Sequence, residues 1–244
     1  LKEHFHVHQL AGLGLEDYDS GVIAAGALFV YLQETQKTAL SHMATIHPYT
    51  AEKFMLIDSS SRRNLELVET LREKNKRGSL LWVLDKTKTA MGARTLRAYV
   101  EQPLIDSQEI NRRLEALEEL NKSPMDRDEI REYLNPVYDL ERLISRISYQ
   151  SANPRDMVAF ASSLEMLPFI RQILQNYHCP ILQQIYQDMD PLTDIADLIK
   201  QAITDEPPMA LRDGGIIREG YNEEVDKFRR SRTDGKKWLS ELEM

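Results

Sequence analysis

The chain has 244 residues, a single cysteine, 42% hydrophobic and 29% charged residues, and a formal net charge of -8. That length suits one large domain or slightly more, and the acidic balance argues against a free-standing nucleic-acid binder, whose affinity comes largely from Lys and Arg on phosphates. Lone Cys179 excludes an internal disulfide and fits a reducing cytoplasm; no stretch is expected to approach the roughly 18 apolar residues of a membrane span, and LKEHFHVHQL lacks the basic start and apolar run of a signal peptide.

In chain order, HFHVHQL alternates and runs into AGLGL, which predicts a strand and a turn. Tyr18 to Leu40 is helical in composition, and GVIAAGALFVYL reads as a buried helix. IHPYTAEKFMLID is interrupted by Pro48, and FMLI predicts a short strand. From Asp58 the signals become helical. Asp106 and Glu109 have capping-box spacing. Ser123-Pro124, Asn153-Pro154 and Asp190-Pro191 each pair a capping residue with a proline suited to a first helical position. Apolar stripes recur at Leu114, Leu117 and Leu120, at Leu140, Leu143, Ile144 and Ile147, and at Ile195, Leu198, Ile199 and Ala202. Residues 58 to 205 are thus expected to form at least six packed helices. No fixed-period repeat points to a solenoid.

The loop EPPMALRDGG follows, and its Gly214 and Gly215 are candidates for a structural hinge because glycine tolerates positive φ. Tyr221 to Met244 predicts a helix about 36 Å long. It is sparse in apolar residues, and from Arg218 onward seven basic side chains balance seven acidic ones.

Chemistry-bearing patterns are few. His4, His6 and His8 would share one face of a strand and suggest zinc, yet no cysteine or well-placed carboxylate completes a site. Gly12-x-Gly14 meets Asp17 where a dinucleotide fingerprint needs its third glycine. Gly235-Lys236 is followed by Lys237 instead of a hydroxyl residue and has Arg230 in place of the first phosphate-loop glycine. Cys179 and His178 are sequence neighbours, whose side chains diverge, and a structural thiol is the better reading. The residues therefore assign no catalytic, cofactor-binding or metal site, and no enzyme activity to this stretch.

Five segments are more specific: FMLIDSSSRRNLEL, LDKTKTAMGARTLRAYVEQPLID, YDLERLISRIS, NPRDM and LRDGGIIREGYNEEVD. In order and spacing they resemble the middle of the MutS family of bacterial DNA mismatch-recognition proteins. The resemblance implies a mainly α fold. Residues 1–45 would be the C-terminal part of an α/β, ribonuclease-H-like connector domain, which favours the mismatch-repair branch of the family. Residues 46–215 would form the helical core domain, and residues 216–244 the start of a protruding lever helix leading to a clamp. It implies a structural and allosteric role, coupling nucleotide state to clamping on mismatched DNA. For a full-length protein it implies ATP and magnesium, mismatched duplex DNA, a downstream mismatch-repair protein, a homodimer and a cytoplasmic location, without a membrane.

The family's Phe-x-Glu mismatch wedge does not occur at Phe5, Phe29, Phe54, Phe160, Phe169 or Phe228, and no phosphate loop occurs. An excised middle stretch that binds DNA weakly on its own is therefore expected. A stand-alone helical protein-interaction module is the alternative, and a His-dependent metalloenzyme the third reading.

Overall fold

The computed structural model describes residues 1–36, 40, 43–46, 48, 53–209 and 211–231. The chain divides into two compact units, Leu1–Phe54 and Met55–Met244. The described residues are mainly helical and include no sheet strand.

In the first unit the expected HFHVHQL strand is replaced by turns. Phe5 N–H donates to Leu1 O at 3.0 Å and Val7 N–H to Lys2 O at 3.1 Å. His6 has φ of 52°, a left-handed conformation that breaks strand alternation. A 3-10 turn at Leu10–Leu13 precedes α1, Asp19–Gln36. Only Phe29 of α1 is buried, while Ile23, Leu28, Val30 and Tyr31 are more than half exposed. This corrects the expectation of a buried helix: α1 is apolar around most of its circumference, and so short a unit cannot cover every side.

The second unit begins where FMLI was expected to form a strand. Met55 N–H donates to Pro103 O at 2.8 Å, but Pro103 has no N–H to return, so a ladder does not propagate. Asp58 then accepts from the Ser60 and Ser61 amides at 2.8 and 2.9 Å and caps α2, Ser59–Asn64. The helices that follow are α3 (Leu80–Leu84), α4 (Ala90–Glu101), α5 (Ser107–Lys122), α6 (Pro124–Leu134) and α7 (Leu140–Ser148). They continue with α8 (Pro154–Leu164), α9 (Leu167–Leu174), α10 (Pro180–Asp188) and α11 (Thr193–Ala202). A further helix, α12, occupies 223–231; residues 232–244 of the predicted charged helix lie outside the described residues.

Of the predicted helix starts, one follows the capping chemistry in full; at α6, Pro124 takes the first position but Ser123 makes no side-chain cap bond. Asn153 and Asp156 form a complete capping box at α8. Asp106 caps α5 through the Gln108 amide at 2.8 Å, but Glu109 pairs with Arg112. Asp190-Pro191 does not open α11: Asp190 accepts from Leu192 N–H at 3.0 Å, Leu192 turns with φ of 50°, and the helix starts at Thr193. The local Asx-type bond wins over continuation into a helix.

Two apolar clusters form the interior. Leu143, Phe160, Ala161, Leu164, Ala196 and Ile199 join α7, α8 and α11. Ala116, Ile170, Ile173, Leu174, Tyr177 and Leu182 join α5, α9 and α10, with Ile130 and Leu134 of α6 packed against them. Pro154–Leu174 has the length and mean hydropathy, 1.3, of a membrane-crossing stretch, a feature the sequence reading passed over. It breaks between Leu164 and Leu167 into α8 and α9, and its two halves supply both clusters. The Leu114–Leu117–Leu120 stripe is corrected as well. Leu114 and Leu117 are 53% and 61% exposed, and α5 turns Ala116 and Leu120 inward instead.

Polar ties hold the helices in register. Ser163 Oγ, completely buried, donates to Ala159 O at 2.7 Å and accepts from Tyr138 N–H at 3.0 Å. Arg94 of α4 grips Asp139 with two bonds of 2.7 and 2.8 Å and also reaches Glu141. Asp139 in turn caps α7. The Arg94 guanidinium holds Asp139 below the usual carboxylate range. Lys76, followed by Thr87, lowers Asp85 to about 2.

Ser163→Ala leaves the Tyr138 amide without its partner and is expected to lower stability by about 1–3 kcal/mol in urea unfolding. Because folding lowers the Asp139 and Asp85 pKa values, their stabilisation is complete above the unfolded values and fades as pH falls through the folded ones. Acid titration followed by circular dichroism is expected to show stability declining from the ordinary carboxylate range towards about pH 2, with a shallower decline for Asp139→Asn.

Candidate functional site: the junction between the helical body and α12

The histidines and the cysteine named by the sequence do not assemble a reactive site. His4 Nε2 lies 2.7 Å from Met43 O, and its ring meets Phe29 at a centroid distance of 4.4 Å. His4, His6 and His8 share no strand face because the strand is absent. Among the described residues no group of three or more His, Cys, Asp or Glu is arranged to hold a metal. Cys179 stands at the start of α10, where Glu119 of α5 accepts from the Cys179 and His178 amides, both at 2.8 Å. Those two amides hold Glu119 below its ordinary range, while burial pushes the Cys179 thiol up. A thiol raised in this way is less ionised and a poorer nucleophile at neutral pH.

A set of side-chain ties to the backbone lies where the chain leaves α11. A helix end leaves carbonyls without helical partners. Here Arg218 supplies them: its Nε donates to Lys200 O at 2.9 Å and Nη2 to Ile203 O at 3.1 Å. Nη2 also pairs with Asp205 at 2.7 Å, and the cationic group suits the negative end of the helix dipole. The Arg218 bonds hold Asp205 below the usual carboxylate range. Backbone bonds reinforce the tie. Ile203 and Ile217 form an antiparallel bridge, Thr204 N–H donates to Ile216 O at 2.9 Å, and Arg218 N–H donates to Ala202 O at 2.8 Å.

Gly214 and Gly215, the predicted hinge residues, both have positive φ, 71° and 72°. They precede this bridge and turn the loop back towards α11. The loop has its own anchor, Arg155 Nε to Pro207 O at 2.9 Å. Beyond the bridge, Asn222 accepts from the Glu224 and Val225 amides at 3.0 and 3.1 Å and opens α12. Asp226, 7% exposed, faces back across this turn. Its Oδ2 accepts from Gly220 N–H and its Oδ1 from Arg229 Nη1, each at 2.7 Å. Arg229 Nη2 reaches Ile217 O, again at 2.7 Å.

The sequence reading named the two glycines but missed Arg218, Asp226 and Arg229. The available signal for Arg218 and Asp226 was their place inside the specific segment LRDGGIIREGYNEEVD; Arg229 lies just beyond it. The same holds for Arg94 in TAMGAR, Asp139 in YDLERL and Arg155 in NPRDM. The distinctive segments thus contribute charged side chains that join separate elements. The junction has no nucleophile–base pair, and its geometry is suited to holding one helix against another.

Residues 60–243 match the family model for MutS domain III. The chain is 60% identical, over 243 residues and its whole length, to the DNA mismatch repair protein MutS of Lachnoclostridium phytofermentans, of which it covers 26%. It is 47% identical to the MutS of Acetivibrio thermocellus over 93% of this chain and 26% of that protein. The MutS of Ruminiclostridium cellulolyticum is 46% identical over the whole chain, which covers 28% of it. The chain therefore spans about a quarter of the length of these curated relatives. On the family-model match, supported by these identities, the chain belongs to the MutS domain III family.

Proposed function

We propose that this chain is the core and lever stretch of a DNA mismatch-recognition ATPase, where it couples nucleotide state to clamping on mismatched DNA. The observation that carries this reading is the junction itself. Arg218 and the 203–217 bridge fix residues 216–218 to the end of α11, and Asp226 and Arg229 carry that tie on to α12, so displacement of one helix is transmitted to the other. In this reading residues 1–45 end a connector domain, 46–215 are the core and 216–244 begin the lever. Gly214 and Gly215 form the corner between core and lever.

Mismatched duplex DNA, a downstream repair protein and a second copy are partners of the full-length cytoplasmic protein. ATP and magnesium act at a nucleotide-binding domain, because the sequence of this chain offers no phosphate-loop spacing. What this chain contributes is mechanical: allosteric coupling requires an element with two positions, each favoured by a different ligand.

A chimera tests the reading. This stretch would replace the matching segment of the Lachnoclostridium phytofermentans relative, and binding of a mismatched duplex and its release by ATP would be measured. The chimera is expected to bind and release. Arg218→Ala is expected to keep nucleotide-free binding and lose ATP-driven release; release at the parental rate contradicts the coupling role. By itself, the acidic chain is expected to retain duplex DNA poorly in filter binding at about 0.15 M salt, and submicromolar affinity contradicts the charge argument.

A further inference from the structure

The ties at the junction separate two glycine-containing turns that look equivalent in sequence. Gly214 and Gly215 lie upstream of the 203–217 bridge. Residues 216–218 are then fixed to the end of α11 through Thr204 N–H, Arg218 N–H and the Arg218 guanidinium. A rotation at Gly214 or Gly215 therefore changes the loop but is absorbed before it reaches α12. Only Glu219 to Asn222 separate the fixed residues from the helix. Within them Gly220 has φ of 85°, and a Cβ at that position would meet no heavy atom within 4 Å. No side chain packs against this position, as at Gly215, and glycine carries little intrinsic penalty at positive φ; what sets Gly220 apart is its place beyond the bridge.

What restrains Gly220 is hydrogen bonding. Its N–H is held by Asp226, one turn into α12, and Tyr221 N–H donates to Arg218 O at 3.2 Å across it. Asp226 is held by Arg229, and Arg229 by Ile217 O on the fixed side. The chain of bonds runs from the helix, across the glycine, to the bridge.

We propose that Gly220 is the pivot of α12 relative to α11, and that Asp226 and Arg229 form a catch that holds the helix in the observed direction. Breaking the catch leaves a single backbone bond, Tyr221 N–H to Arg218 O at 3.2 Å, across Gly220, and so widens the rotation there while the bridge at 216–218 stays closed. The proposal rests on the reading of α12 as a lever. It moves the mechanical joint from the paired glycines to the single glycine beyond them, with Asp226 and Arg229 as positioning residues.

Paired spin labels test it. In a Cys179→Ser background, Asp197→Cys on α11 and Lys227→Cys on α12 place labels at exposed positions. The parent is expected to give one narrow distance distribution. Asp226→Ala is expected to lose the single narrow peak, and Asp226→Asn, which keeps one acceptor oxygen for Gly220 N–H but turns an amide donor towards Arg229, to give a distribution narrower than Asp226→Ala and broader than the parent. Gly214→Val and Gly215→Val are expected to leave the peak in place.

A narrow, unshifted peak in Asp226→Ala overturns the proposal. So does broadening in Gly214→Val equal to that in Asp226→Ala. Circular dichroism of each variant identifies any that fail to fold, and Arg229→Gln then replaces Asp226→Ala with the same expected loss of the narrow peak. The chimera carrying Asp226→Ala separates the pivot from the lever reading. Peak loss with impaired ATP-driven release supports both, whereas peak loss with parental release leaves the pivot standing and removes the lever role.

Discussion

Backbone carbonyls at a helix end need partners, and the way α11 meets this need determines how the chain continues. Arg218, fifteen residues beyond Ile203, donates to Lys200 O and Ile203 O and pairs with Asp205. A water molecule would satisfy either carbonyl, but it would not connect α11 to the next element. A guanidinium does both, because its donors diverge in one rigid plane. The adjacent 203–217 bridge uses the same residues, so capping α11 and directing the following chain become a single structural event.

That principle extends through the second unit. Arg94 ties α4 to the cap of α7, Glu119 ties α5 to the start of α10, and Arg155 ties α8 to the loop at Pro207. Among the described residues, no buried side-chain nitrogen or oxygen lacks a partner, as expected where leaving one unsatisfied is expensive. The apolar clusters bind the helices together, but apolar contacts are non-directional. Directional bonds at helix ends fix which helix end faces which.

Much of this was legible in the sequence. Asn153-Pro154 predicted the start of α8, and the stripe Leu140, Leu143, Ile144 and Ile147 predicted the inward face of α7 except at Ile144, which is 51% exposed, because capping and periodicity are local properties. Some errors were local, as where Asp190 bonds to the Leu192 amide instead of opening α11; others depended on a distant partner. FMLI met a proline that cannot return a hydrogen bond. Leu114 and Leu117 lay on a sound amphipathic stripe, but Ala116 was selected for the interior by the position of α9 and α10. HFHVHQL alternates, yet alternation does not make a strand without a neighbour to pair with.

The functional junction was read in the same incomplete way. Positive φ at Gly214 and Gly215 follows from residue type, whereas the Asp226–Gly220 and Arg229–Ile217 bonds require three-dimensional proximity. The most direct measurement of the central claim, that capping α11 and directing α12 are one event, is residue-resolved hydrogen exchange of the chain. The account predicts that the Thr204 and Arg218 amides exchange together with the last turn of α11, and that Arg218→Ala exposes both without unfolding α8. Free exchange of these amides in the unmutated chain, while α11 remains protected, would contradict it.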